Sequence, residues 1–278
     1  MEPTKIAGKY FLGFENTLFE CDPRRGGRVT AFSLDGVSVL AGPRIDPDNF
    51  GSTFWTSPQS DWGWPPPLEI DGDAYDSQVV GETLILTSPP CPRLGVRVIK
   101  RFVADSLRRA IEIEYLIENV GPKPRSFAPW EVSRVLAGGL TLFPSGQERR
   151  ASESFHPLRV AEIDGVTWHS HDVRLMKADE KLYADGAQGW VAHLSGDKLF
   201  IKTFSHIAPE EQAPGEGEIE IYANRSYLEV EQQGAYCEIE AGTRLSWAVR
   251  WYLRKIPAGI DTTVGSRALV AFVQASIR

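Results

Sequence analysis

The chain is written in short runs of alternating apolar and polar residues, punctuated by Gly, Pro, Asp and Asn, a rhythm that belongs to antiparallel sheets. The clearest run is Arg109 to Glu118. Ile111, Ile113, Tyr115 and Ile117 fall on one face of an expected strand, and Glu112, Glu114, Leu116 and Glu118 on the other, because successive side chains point to opposite sides. Gly26 to Gly36 reads as a strand between glycine turns, with Val37 to Leu40 returning as its hairpin partner. Thr83 to Thr87 reads as a buried strand, broken off by Pro89, Pro90 and Pro92. Further strands are expected at Val96 to Val103, Phe127 to Val135, Leu140 to Phe143, Asp164 to Trp168 and Gly189 to Leu194. The same pattern returns at Lys198 to Phe204, Glu218 to Tyr222, Ser226 to Gln232 and Ser246 to Leu253. Helix is expected only at the edges, near Lys177 to Tyr183 and Arg267 to Ser276. No linker, low-complexity tract or exact repeat divides the sequence, so it reads as one all-β domain over residues 1–278.

One stretch departs from the alternation. Gly51 to Pro67, GSTFWTSPQSDWGWPPP, holds three of the eight tryptophans among turn-forming residues and reads as a rigid, aromatic-walled loop. Trp55, Trp62 and Trp64, with Gln59 beside them, suit a ligand that is apolar on its faces and hydroxylated at its edge, as a sugar ring is.

Strand geometry also sorts the charged candidates. It places Tyr227, Glu229, Glu231 and Gln233 on one face, which either solubilises the sheet or lines a pocket where burial tunes a carboxyl for acid–base work. Trp130, Val132 and Arg134 share a face opposite to Glu131 and Ser133, and a structural salt bridge is the competing reading for both charges. His193 and His206 read equally as catalytic acids or satisfied core histidines. His169 and His171 are expected to be exposed loop residues without a third metal ligand, and Lys202 an outward strand residue.

Composition narrows the classes. The 30 basic residues against 37 acidic ones give a net charge of −7 with no basic run, which argues against nucleic acid as a partner. No apolar segment reaches bilayer length and the first residues lack a secretory pattern, so the expectation is a cytoplasmic protein without membrane attachment. The three cysteines, Cys21, Cys91 and Cys237, are too dispersed for a disulfide framework or a zinc site and read as packed thiols. Phosphate-cradling loops, a nucleophile elbow, an HExxH helix and a calcium loop are all missing from the sequence.

Three segments, in order, carry a resemblance: GGRVTAFSLDG; AIEIEYLIENVGPKP followed by FAPWEV; and YLEVEQQG followed by AGTRLSWAVRWYL. Together they are similar to the galactose mutarotase-like, or aldose 1-epimerase-like, superfamily, of which the chain looks like a divergent branch. The resemblance implies a β-supersandwich with a carbohydrate site on its concave face and cofactor-free, metal-free interconversion of sugar anomers. It implies Glu231 as the base, with Glu229 as the alternative in register. Where the family carries its acid histidine this chain has Trp130-Glu131, so the acid is Glu131, a histidine such as His193, or lost. Trp55, Gln59, Trp62, Trp64, Trp130, Arg134 and Lys202 would shape the sugar subsite of a monomer or homodimer. The alternatives are a carbohydrate-binding protein without activity and a polysaccharide lyase or hydrolase relative.

Overall fold

A computed structural model describes residues 2–278. The alternating runs form two large antiparallel sheets laid face to face. In the first, neighbouring strands run Lys9–Phe14, Thr17–Asp22, Arg28–Leu34, Ser52–Ser57, Arg125–Leu136, Tyr227–Gln233, Ile219–Ala223 and Glu180–Gly186. The second runs Asp76–Val80, Thr83–Thr87, Val96–Asp105, Ala110–Asn119, Arg244–Lys255, Lys198–Phe204 and Trp190–Ser195. Leu140–Ala151 belongs to both, pairing Trp190–Ser195 and Val166–Ser170 through its first residues and Glu180–Gly186 through its last.

Strands far apart in sequence are neighbours, and the inner faces of both sheets supply one aromatic interior. Phe200 and Trp251 stand 4.9 Å apart, Phe19 and Phe102 5.1 Å, with Phe32 against both Phe19 and Trp251. Edge-on and tilted arrangements of this kind suit the ring quadrupoles. A smaller apolar cluster of Trp168, Trp190 and Tyr252 is closed by Leu269 and Val273 of the Arg267–Ser276 helix, whose first turn is capped by the Ser266 hydroxyl accepting from the Leu269 amide. Among the described residues no helix is long and apolar enough to cross a membrane.

Three local expectations change. Lys177 to Tyr183 is not helical: Glu180–Gly186 is a strand whose Leu182 and Ala184 enter the core while Lys181, Tyr183 and Asp185 take the opposite face. Gly51 to Pro67 is not wholly a loop, since Ser52–Ser57 is a buried strand and the loop begins at Pro58, with one 3₁₀ turn at Gln59–Asp61. Gly51 makes this entry possible. Its φ is +65°, and a Cβ there would lie 2.1 Å from the Val29 carbonyl oxygen, so only glycine lets the two strands close together. Third, His169 and His171 are buried rather than exposed, and His169 sits within the Val166–Ser170 strand.

Candidate active site

Five strands of the first sheet turn one face towards a cavity of about 350 Å³. Their register brings the functional side chains together. Trp130 stands opposite Trp55, Arg134 opposite Glu229, Glu231 opposite Glu220, and Tyr222 opposite both Glu229 and Lys181. Because these partners are directly across from one another on neighbouring strands, their side chains rise side by side on the same face.

Aromatic rings form much of the wall. Trp55 and Trp130 meet edge to face at 5.3 Å, and Trp64 meets Trp55 at 6.0 Å. Trp64 remains 60% exposed at the rim, a large apolar surface left open to solvent. The Trp55 indole donates to Asp71 Oδ1 at 2.9 Å, and Asp71 is itself held by Arg28 at 2.8 Å, so the ring is fixed from behind. Phe155, Tyr222 and Tyr227 complete the apolar lining, while Asn49 and Gln59 add neutral hydrogen-bonding groups.

The floor is charged. Glu231 is fully buried; its Oε2 accepts from the Trp130 indole N–H at 2.9 Å, while its Oε1 has no hydrogen-bond partner and lies 3.5 Å from Lys181 Nζ. Lys181 is 2.7 Å from Glu220 Oε2, and Glu220 Oε1 accepts from Gln233 and the Gly217 amide. Burial pushes the Glu231 carboxyl well above the usual range, opposed by Lys181 and reinforced by Glu220 and Glu229. For Lys181 burial acts against the charge, but Glu220 and Glu231 outweigh it and hold the ammonium protonated. Glu229 pairs with Arg134 at 2.8 Å, and the Arg134 guanidinium lies over the Trp55 ring at 5.3 Å. Glu216, behind the cavity-lining Gln59, accepts from the Gln59 backbone amide at 2.8 Å; burial, then Glu220, pushes it up to about 7.

The structure thus brings Glu231, Glu229, Trp55, Gln59, Trp64 and Trp130 to the cavity, with Arg134 bound to Glu229. It places four other candidates elsewhere. Trp62 is a buried backing for Trp55 and Trp130, its indole donating to the Thr56 carbonyl at 2.7 Å. Glu131 lies on the reverse face of its strand, between the sheets, accepting from Tyr115, Gln232 and Trp251. Lys202, expected to point outward, is buried from the facing sheet and pairs with Glu131 at 3.1 Å. His193 is buried beside Thr141, and burial lowers its pKa to about 3, so it stays neutral there. None of the four lines the cavity.

Lys181 and Glu216 escaped the sequence reading. Lys181 sits in KLYAD, whose alternation is the same signal that sorted Tyr227 to Gln233, but the segment read as helix. Glu216 lies in a turn-rich loop with no periodicity to orient it. Among the described residues no group of three or more His, Cys, Asp or Glu side chains is arranged to hold a metal ion.

A family model described as "Domain of unknown function (DUF4380)" matches residues 59–254. The chain belongs to this family. The DUF4380 match contains Gln59, Trp64, Trp130, Lys181, Glu229 and Glu231, while Trp55 precedes it. No curated protein matches the sequence. Solved structures give the fold: a galactose mutarotase-like protein from Lactobacillus casei superposes with a TM-score of 0.62 at 11% identity, covering 89% of this chain and 100% of that one. The Slr1438 protein of Synechocystis sp. PCC 6803 gives 0.61 at 14% identity, covering 92% and 98%. A galactose mutarotase related enzyme from Lactobacillus acidophilus gives 0.59 at 8% identity, covering 93% and 99%. This DUF4380 chain has the galactose mutarotase-like fold.

Proposed function

We propose that the protein interconverts the anomers of an aldose, with Glu231 as base and Lys181 as proton donor. The observation that carries this reading is the unpartnered Glu231 oxygen on the floor of a tryptophan-walled cavity, 3.5 Å from an ammonium group. Glu231 takes the proton of the anomeric hydroxyl; the bond from the anomeric carbon to the ring oxygen breaks, and the ring oxygen keeps that electron pair and receives a proton from Lys181. Rotation about the bond between C1 and C2 exposes the other face of the aldehyde. Closure returns the first proton from Glu231 to the former carbonyl oxygen and the second from the new ring oxygen to Lys181, so both groups are restored.

The coupling between the two groups suits this sequence. Lys181 is held protonated in part by the Glu231 charge. Once Glu231 is protonated that support is gone, and the ammonium becomes more acidic as the ring oxygen comes to need a proton. Burial, by raising the Glu231 pKa, likewise makes its carboxylate a stronger base than that of an ordinary glutamate.

The test is saturation-transfer NMR on a panel of free aldoses. Exchange between anomer signals is expected to accelerate with the wild-type protein and to slow in Lys181→Gln. The second reading, sugar binding without catalysis, is favoured by the lack of any histidine among the described residues lining the cavity. Binding with exchange at the spontaneous rate for every aldose would establish it instead. Trp64→Ala is expected to weaken sugar affinity about tenfold, roughly the worth of one good aromatic contact, and to leave thermal unfolding unchanged because the ring is exposed. Fluorescence titration and circular dichroism read the two effects separately; unchanged affinity would remove Trp64 from the site.

A further inference from the structure

The charges around the cavity do not balance, and the imbalance falls on one group. Two cations, Arg134 and Lys181, stand beside three carboxylates, Glu220, Glu229 and Glu231. Each cation has a close carboxylate already: Arg134 is 2.8 Å from Glu229, and Lys181 is 2.7 Å from Glu220. Glu231 is left with the more distant share of Lys181, at 3.5 Å, and with an oxygen that accepts no hydrogen bond although the residue is fully buried. A buried acceptor without a partner is costly, and a charged one more so, which makes it a site for a donor brought by the ligand.

The surrounding rings favour a cationic donor. Arg134 and Lys181 already lie over Trp55 and Trp130 at 5.3 and 5.6 Å, so these indoles serve as partners for positive charge. Trp64 and Tyr227 offer further ring surface on the same cavity. A phosphorylated or carboxylated sugar would instead meet a surplus of carboxylates whose cations are engaged. We infer that the substrate is an amino sugar, its ammonium held by the Glu231 carboxylate against the tryptophan wall. This rests on the reading of the cavity as a sugar site.

The experiment is isothermal titration of the wild-type protein with glucosamine and galactosamine, their N-acetyl forms, glucose, galactose and glucose 6-phosphate, at a pH where the free amines are protonated. At least one amino sugar is expected to bind ten or more times tighter than its neutral and N-acetylated counterparts, with the phosphorylated sugar weakest. Glu231→Gln should reduce that preference to within about twofold. Equal or weaker binding of both amino sugars, no binding by any sugar, or a preference that survives Glu231→Gln would overturn the inference. Anomer exchange measured on the same samples separates the two claims. Acceleration without an amine preference keeps the mutarotase reading and discards this one; an amine preference without acceleration does the reverse.

Discussion

Glu231→Gln is expected to slow anomer exchange by about 10²- to 10⁴-fold, the range typical of losing a positioned general base. The substitution keeps the volume and the acceptor for the Trp130 indole but removes the group that can take the anomeric proton. Neutral sugars should bind within a few-fold of wild type, since the aromatic walls are untouched. The folded protein should also survive the change. A carboxyl whose pKa is raised by folding holds its proton over a pH range in which the unfolded chain has released it. Stability therefore falls as pH rises from the unfolded value through the folded one, and at neutral pH the buried Glu231 is a liability that glutamine relieves. Urea unfolding at pH 5 and pH 8 should show the wild type losing more stability than Glu231→Gln over that interval. Retained exchange in the variant would move the base to Glu229, two residues along the same face.

Lys202→Met is expected to destabilise the fold by about 3–5 kcal/mol, because it strips the cation from a buried carboxylate. Lys202 Nζ donates to Glu131 Oε1 at 3.1 Å, to Ser133 Oγ at 3.1 Å and to the Val230 carbonyl at 2.6 Å. These contacts join the strand carrying Trp130 and Arg134, the strand carrying Glu229 and Glu231, and the facing sheet. After the substitution Glu131 keeps its neutral donors Tyr115, Gln232 and Trp251 but loses the one cation that hydrogen-bonds to it, leaving only the longer-range attraction of buried Lys100. The expected signature is a lower urea midpoint with an unchanged slope. A loss below about 1 kcal/mol would show that the pair is energetically idle despite its burial.

Much of the architecture was legible because strand alternation is local. The periodicity of RAIEIEYLIE and YLEVEQQ reports which side chains share a face whatever the strand pairs with. It therefore placed Glu229 with Glu231, and Trp130 with Arg134, before any partner strand was known. Local pattern also found the Arg267–Ser276 helix, where Ser266 supplies the cap. It failed at Lys177 to Tyr183, where a short segment's periodicity did not reveal that it would be paired by Ile219–Ala223.

Local alternation was enough to set the sheet-rich class and the sidedness of the strands. The choice of which side faces the cavity and which faces the other sheet came from long-range strand pairing. That choice separates Glu231, on the floor of the cavity, from Glu131, sealed against Lys202. It also brings Lys181 to Glu231 from about 50 residues away in the chain, across the intervening Ile219–Ala223 strand. Side-chain direction follows from bonds between adjacent residues, whereas burial, charge pairing and the pKa they set arise from strands whose meeting no local pattern encodes.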